Sequence, residues 1–320
     1  MAKIVVTGKI PAGGLARLKA DHDVLAWESE EAISRSELLQ MVAGADAIVS
    51  LLTEKIDAEL LTAAGSQLKS VSNVAVGYNN IDVQACKERG VLVTNTPGVL
   101  TEATADIAMA LILMCTRRLG EGERVIRAQQ PWQWGMFYML GMGLQGRQLG
   151  IVGMGQIGIA TARRAKAFGM NIAYTRRAPL ESDAEKDLAA KFMSMDELIE
   201  SSDVLSIHCP YSPATHHLIS ENQLARMKPS AFLINTARGP IVDEQALVDA
   251  LKAGKIAGAG LDVFEHEPKV NPGLLELDNA VLIPHLGSAT VETRAAMADI
   301  AATNALAILA GAQAPNLVTS

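Results

Sequence analysis

Short apolar runs alternate along the whole chain with stretches in which apolar residues recur every three or four positions. The runs read as strands buried on both faces, and the periodic stretches as the helices that connect them. Strands are predicted at residues 3–7, 47–51, 68–74 and 91–94, with helices at 13–20, 57–64 and 82–89. Farther along, strands are predicted at 148–152, 171–175, 204–208, 231–235, 258–261 and 280–283. Helices fall between them at 159–168, 195–201, 223–227 and 243–253, and a last one at 291–309 stops at Gly311. Strand–helix alternation of this kind predicts an α/β fold of two doubly wound, Rossmann-like domains. Residues 1–99 with 288–320 are assigned to a flavodoxin-like substrate domain, and 100–287 to a dinucleotide-binding domain. Two crossings between domains imply a hinge and an interdomain active-site cleft.

One stretch departs from the alternation. A long helix is predicted at 102–129, capped by Thr101. It is apolar on nearly all sides between Ala105 and Cys115, which predicts burial between domains or subunits. Residues 130–146 are rich in Trp, Met and Gly and keep no period. A loop so long and apolar needs a cover. The region from about 120 to 146 therefore reads as a dimerisation arm, and the chain as a homodimer.

The strand at 148–152 runs straight into Gly153-Met154-Gly155-Gln156-Ile157-Gly158, and a helical pattern follows. A bare G-x-G-x-x-G is weak evidence. Between a strand and a helix it predicts a dinucleotide pyrophosphate at a helix N-terminus. The first glycine permits the turn, the second lets phosphate approach the backbone, and the third lets the helix pack on the strand. The next strand ends in Thr175-Arg176-Arg177, where NAD-selective sites usually carry an acidic residue for the ribose 2′-hydroxyl. Two guanidinium groups there can pair with a 2′-phosphate, which favours NADP(H) over NAD(H). The alternative is that both arginines are solvated loop charges.

Bulk composition narrows the partners. Net charge is −7, which argues against a nucleic-acid or anionic-membrane surface and means that an anionic substrate needs a local cationic pocket. The apolar stretch 107–115 is far short of the ~20 residues of a bilayer span. The N-terminal residues enter a strand pattern at once, so no signal peptide is read and the protein is expected to be soluble and cytoplasmic. The cysteines, at 86, 115 and 209, are odd in number and widely spaced, which indicates neither a disulfide framework nor a metal site.

Three residues just past predicted strands carry candidate chemistry: Arg238, Glu267 and His285. A guanidinium holds a carboxylate with two parallel hydrogen bonds. An imidazole donates a proton near neutral pH, and a carboxylate bonded to it orients it and favours its charged form. Each alone has a plainer explanation: a surface arginine, a capping glutamate, a satisfied histidine. His216 and His217 form no metal pair, because neighbours in sequence are expected to point apart. His208 reads as packing, and His266 as exposed.

Six stretches in order carry a resemblance: Val74-Ala-Val-Gly-Tyr-Asn-Asn-Ile-Asp82, Thr94-Asn-Thr-Pro-Gly98, Gly150-Ile-Val-Gly-Met-Gly-Gln-Ile-Gly158, Asn235-Thr-Ala-Arg-Gly239, Gly260-Leu-Asp-Val-Phe-Glu-His-Glu-Pro268 and Pro284-His-Leu-Gly-Ser288. Over nearly its whole length the chain resembles the D-isomer-specific 2-hydroxyacid dehydrogenases, and among them the glyoxylate/hydroxypyruvate reductase branch. The resemblance implies that Arg238 binds the substrate carboxylate, that His285 protonates the carbonyl oxygen and that Glu267 holds His285. It also implies that the amides of Val76 and Gly77 clasp the carboxylate. For the cofactor, it implies that Asp262 bonds the nicotinamide carboxamide beside Thr236 and Ala237, that Cys209 and Pro210 border the adenine–ribose side, and that Thr104 approaches the phosphates. Thr215 and Gly287 complete the expected cofactor set. Leu52, in an apolar loop with no cations for a phosphorylated substrate, is expected to bind substrate, and Trp134 (or Trp132) from the arm to reach the partner subunit's cleft and limit substrate size; the alternative is that both tryptophans are plain dimer-interface residues.

The function so implied is NADPH-dependent reduction of glyoxylate to glycolate and of hydroxypyruvate to D-glycerate. A D-lactate-type or broader 2-keto acid reductase is the alternative within the enzymes. A dinucleotide-sensing, corepressor-like binding protein is the alternative outside them. Glu267 argues against the formate dehydrogenase branch, which lacks that glutamate.

Overall fold

The computed structural model describes residues 1–318. It divides into two compact units, Met1–Leu100 together with the chain from Ala289 onward, and Thr101–Ser288. In the first unit the chain runs β1 (Lys3–Val6), α1 (Ala12–Lys19), β2 (Asp23–Ala26), α2 (Arg35–Met41), β3 (Ala47–Ser50), α3 (Ala58–Ala64), β4 (Ser70–Asn73), α4 (Val83–Glu88) and β5 (Leu92–Thr94). The second unit opens with α5 (Thr101–Thr116) and α6 (Leu119–Arg127), then β6 (Gln148–Val152), α7 (Gln156–Ala167), β7 (Asn171–Thr175), α8 (Ser182–Leu188), β8 (Lys191–Phe192), α9 (Met195–Ser201) and β9 (Val204–Ile207). It continues through α10 (Glu221–Arg226), β10 (Phe232–Asn235), α11 (Glu244–Lys252), β11 (Gly258–Leu261), α12 (Pro272–Leu275) and β12 (Ala280–Leu282). The closing helix α13 (Val291–Leu309) belongs to the first unit and packs along α1 and over β3 and β4.

Both sheets are wholly parallel. The first has the order β2-β1-β3-β4-β5 and the second β12-β11-β10-β9-β6-β7-β8. Their central strands are buried on both faces, as covered parallel sheets require, while the edge strands β2 and β8 are partly or wholly exposed. In the second sheet β6 lies between β7 and β9, so strand order reverses at its carboxyl end. A crevice opens at such a switch point, and ligands of this fold class bind there. Because every strand is parallel, the loops after β6, β7, β9, β10, β11 and β12 all leave from that one edge.

The long helix expected at 102–129 is two helices. The Thr116 carbonyl accepts from the Met142 amide at 2.7 Å instead of continuing the helical ladder. Arg118 takes the left-handed conformation (φ 55°), and its guanidinium bonds Glu121 in the first turn of α6. The apolar sides of α5 pack on β10, β11 and α7 in the second unit's core. Beyond α6, Trp132, Trp134, Met136, Phe137, Tyr138 and Leu140 are exposed. Among the described residues no helix is long and apolar enough to cross a membrane.

Candidate active site

The turn after β6 meets each stereochemical demand of the glycine fingerprint. Gly153 has φ 96°, and a Cβ there would lie 2.4 Å from the Cys209 amide nitrogen. A Cβ on Gly155 would meet nothing within 4 Å, so that side of the turn is open to a ligand. A Cβ on Gly158 would lie 2.6 Å from the Gly153 carbonyl oxygen and 3.2 Å from Ile151 Cγ2 on β6, the latter being the close helix–strand contact. Helix α7 starts without a side-chain cap, leaving the first-turn amides at Gln156 and Ile157 for an anion. A dinucleotide pyrophosphate fits this cradle. Gly153→Ala is expected to cost about 1–3 kcal/mol, because alanine would be forced into a left-handed conformation against backbone. Thermal unfolding and a cofactor titration would measure it, and an unchanged Tm with unchanged affinity would show that the turn has room to relax.

Around the cradle, the Gly153 amide donates to the Thr175 carbonyl at 3.0 Å, which ties the end of β7 to the turn. Arg176 and Arg177 follow at the surface, both exposed. Cys209 and Pro210 follow β9, with Cys209 against Gly153. Burial pushes the Cys209 thiol up to about 11. The Thr215 hydroxyl donates to the Pro210 carbonyl at 2.9 Å. Thr104 is buried on α5, and its hydroxyl donates to the Gly287 carbonyl at 3.0 Å.

Arg238, Glu267 and His285 leave the ends of β10, β11 and β12, which are neighbours in the sheet. Asn235, the last residue of β10, spans the first of these turns: its carboxamide donates to the Arg238 carbonyl at 2.9 Å and accepts from the Ala237 amide at 3.0 Å. Burial lowers the pKa of the Arg238 guanidinium, while the Glu267 charge acts to raise it. The guanidinium also donates to the Ala237 carbonyl at 2.7 Å.

Glu267 Oε2 lies 2.8 Å from His285 Nδ1, and Glu267 Oε1 accepts from the Phe264 amide at 2.9 Å. Burial works to raise the pKa of Glu267. The hydrogen bond to His285, the His285 charge, the Phe264 amide and the Arg238 charge outweigh it and hold the carboxyl below its usual value. His285 sits at φ 51°, a conformation that costs a non-glycine residue roughly 1–3 kcal/mol unless its surroundings enforce it. They do. Its amide donates to the Asp262 carbonyl at 2.8 Å, and the Asp262 carboxylate accepts from the Leu286 and Gly287 amides at 2.5 and 2.8 Å. Asp262 is fully buried, and burial raises its carboxyl pKa against these amides.

Sequence reasoning missed two of these roles: the Asn235 clasp, and Asp262 as the anchor of the His285 loop. Asn235 stands beside a glycine turn, a common setting for such a clasp, but nothing local shows which amides Asp262 meets. The Thr236 hydroxyl is buried and has no hydrogen-bond partner among the described residues. A ligand polar group beside it would satisfy it, as the nicotinamide end of a dinucleotide can.

The expectation that His216 and His217 point apart is corrected. Their rings stack with centroids 4.0 Å apart, because His217 adopts φ 49° and turns back on its neighbour. His266 is exposed, and His208, after β9, bonds Ser206 at 2.9 Å, its pKa pushed down to about 4 by burial. Leu52, Val76 and Gly77 belong to the first unit and follow β3 and β4, each partly buried. Trp134, on the exposed segment after α6, is 75% exposed.

Comparison with known proteins identifies the family. Residues 109–287 match the model of the D-isomer specific 2-hydroxyacid dehydrogenase, NAD binding domain. The chain is 48% identical to the glyoxylate reductase of Thermococcus onnurineus over 321 residues, covering 99% of this chain and 95% of that one. The crystal structure of a glyoxylate reductase from Paecilomyes thermophila superposes with a TM-score of 0.89 at 36% identity, over 99% and 98% of the two chains. The NADPH-dependent glyoxylate/hydroxypyruvate reductase of Sinorhizobium meliloti, in complex with NADP and malonate, gives a TM-score of 0.86 at 37% identity over 99% and 97%. With the family's domain matched over more than half its length and a relative this similar over nearly all of it, the chain belongs to the D-isomer specific 2-hydroxyacid dehydrogenases.

Proposed function

We propose that the protein reduces small 2-keto acids with NADPH, converting glyoxylate to glycolate and hydroxypyruvate to D-glycerate. The observation that carries this is the Glu267–His285 pair, with the half-buried Arg238 near enough for its charge to act on Glu267, at the sheet edge bearing the dinucleotide cradle. A bound reduced nicotinamide supplies hydride; the protein has to hold an anion, polarise a carbonyl and deliver a proton.

Arg238 suits the first two tasks, since a desolvated guanidinium pairs with a carboxylate more strongly than a solvated one. His285 suits the third. Nδ1 faces Glu267, so Nε2 is left to donate to the developing alkoxide, and ionised Glu267 stabilises the imidazolium before transfer. Asp262 keeps the His285 loop in its strained conformation, and Thr236 with Ala237 and Asp262 is assigned to the carboxamide end of the cofactor. In the first unit, the Val76 and Gly77 amides are assigned to the substrate carboxylate and Leu52 to its small side chain. A second copy of the chain is assigned as the cover of the exposed apolar segment 132–140, with Trp134 limiting substrate size in its partner.

NADPH is favoured by Arg176 and Arg177, exposed just past the strand that abuts the glycine turn. Changing both to alanine is expected to weaken NADPH binding roughly tenfold to a hundredfold, on the scale of one lost charged hydrogen bond, while NADH binding moves little. Equal weakening of both dinucleotides would remove the 2′-phosphate role. The test of the whole function is a steady-state comparison of glyoxylate, hydroxypyruvate and pyruvate, each with NADPH and with NADH. The highest kcat/KM should fall on the two smaller or hydroxylated acids with NADPH. Preference for pyruvate or NADH would overturn the assignment.

A further inference from the structure

Away from the reacting groups, a second histidine–glutamate pair joins the two loops that carry Arg238 and Glu267. His217 Nε2 lies 2.7 Å from Glu265 Oε1, two residues before Glu267. The His217 amide donates to the Pro240 carbonyl at 2.9 Å, two residues after Arg238. From there, residues 217–219 and 240–243 run as a short parallel ladder, with Ile219 bonding Ile241 and Asp243 bonding Ile219.

Glu265 is fixed from other directions. Its amide donates to the buried Glu244 carboxylate at 2.5 Å, and its Oε2 lies 3.5 Å from the Glu244 amide at the start of α11. Gly239 presses on the same segment: a Cβ there would lie 1.9 Å from the Phe264 carbonyl carbon, so no other residue permits this approach. The groups facing His217 are Glu265, Asp243 at 3.9 Å and the stacked ring of His216. His217 also holds a left-handed conformation (φ 49°), which the surrounding bonds must enforce.

We infer that His217 is a positioning residue that staples the Arg238 loop to the Glu267 loop through Glu265, fixing the spacing between the carboxylate clamp and the Glu267–His285 pair. This rests on the function proposed above. A guanidinium and a proton donor must meet one substrate at once, and a misplacement of about 1 Å can cost a hundredfold in rate. A backbone bond on one loop and a side-chain bond on the other make His217 suited to hold that spacing.

The test uses the full-length protein with NADPH and glyoxylate, comparing His217→Ala, Glu265→Ala, the double variant and His217→Gln. The single variants are expected to lose roughly ten- to a hundredfold in kcat, with smaller changes in KM, NADPH affinity and Tm. The double variant should lose no more than the worse single one, because both break the same link. His217→Gln, whose amide can still donate to Glu265, should recover part of the rate. Amide hydrogen exchange reads the staple without turnover: in His217→Ala, exchange should quicken in both 239–243 and 264–267. Unchanged kcat, multiplying losses in the double variant, or exchange that quickens in only one loop or neither would overturn the inference. If the unmodified protein fails to oxidise NADPH, the proposed function falls, and the exchange experiment decides the staple independently.

Discussion

Arg238→Ala is expected to reduce kcat/KM for glyoxylate by roughly a hundredfold to a thousandfold, on the order of 3–4 kcal/mol. The magnitude follows from burial. The guanidinium is desolvated enough for its pKa to be lowered, so a carboxylate brought beside it gives up water for two charge-assisted hydrogen bonds. Without the arginine, the carboxylate would be desolvated with no partner, which costs more than the same loss at a surface. Arg238→Lys should recover only part of the rate, because an ammonium keeps the charge and loses the planar fork. The loss should fall on KM as well as kcat if Arg238 both anchors the acid and polarises its carbonyl. Near-normal turnover by the alanine variant would take Arg238 out of this role.

His285→Gln is expected to lower kcat by roughly a hundredfold to ten-thousandfold, the range for removal of a general acid, with little change in KM for glyoxylate. Substrate anchoring remains with Arg238, so the effects should separate. A glutamine can still bond Glu267 but cannot carry the transferable proton. A comparable loss in KM would instead mark His285 as a binding residue. The partner sets the pH window. Glu267 has a folded pKa held below its usual value near 4.5, so its hold on His285 is fully present above that value and is lost as pH falls through the depressed one. Glu267→Gln should therefore slow the enzyme at neutral pH rather than merely move its acid limit.

Much of this was readable along the chain. The glycine fingerprint was legible because each glycine answers a separate local demand, and the structure shows a different surrounding for each. Helices α9 and α13 match the predicted residues, α9 starting at a Ser194–Glu197 capping box and α13 stopping just before Gly311. Other elements had little to announce them. Strand β2 is four residues long with an exposed edge, and β8 is two residues long and exposed. Helix α2 starts at a Ser34–Glu37 capping box but has no strong apolar stripe behind it. The break between α5 and α6 depends on a carbonyl taken by Met142, 26 residues away, which no local pattern can report.

The site divides in the same way. Arg238, Glu267 and His285 stood out as reactive side chains just past strands, a position that topology places on one edge. Asp262 and His217 bond groups distant in sequence, so their parts emerge only when the loops are seen together, whereas Asn235 clasps its own turn at Ala237 and Arg238. The stacked pair His216–His217 was misjudged for a related reason: the rule that neighbours diverge holds for regular helix and strand, not for a residue turned to positive φ.

The central claim is tested most directly by following NADPH absorbance after adding glyoxylate to the unmodified protein and, in parallel, to the His285→Gln variant. Sustained oxidation with stoichiometric glycolate in the first, and near-complete loss in the second at undiminished NADPH affinity, is the expected result. No oxidation by the unmodified protein with any small 2-keto acid, or equal rates in the two proteins, would contradict it.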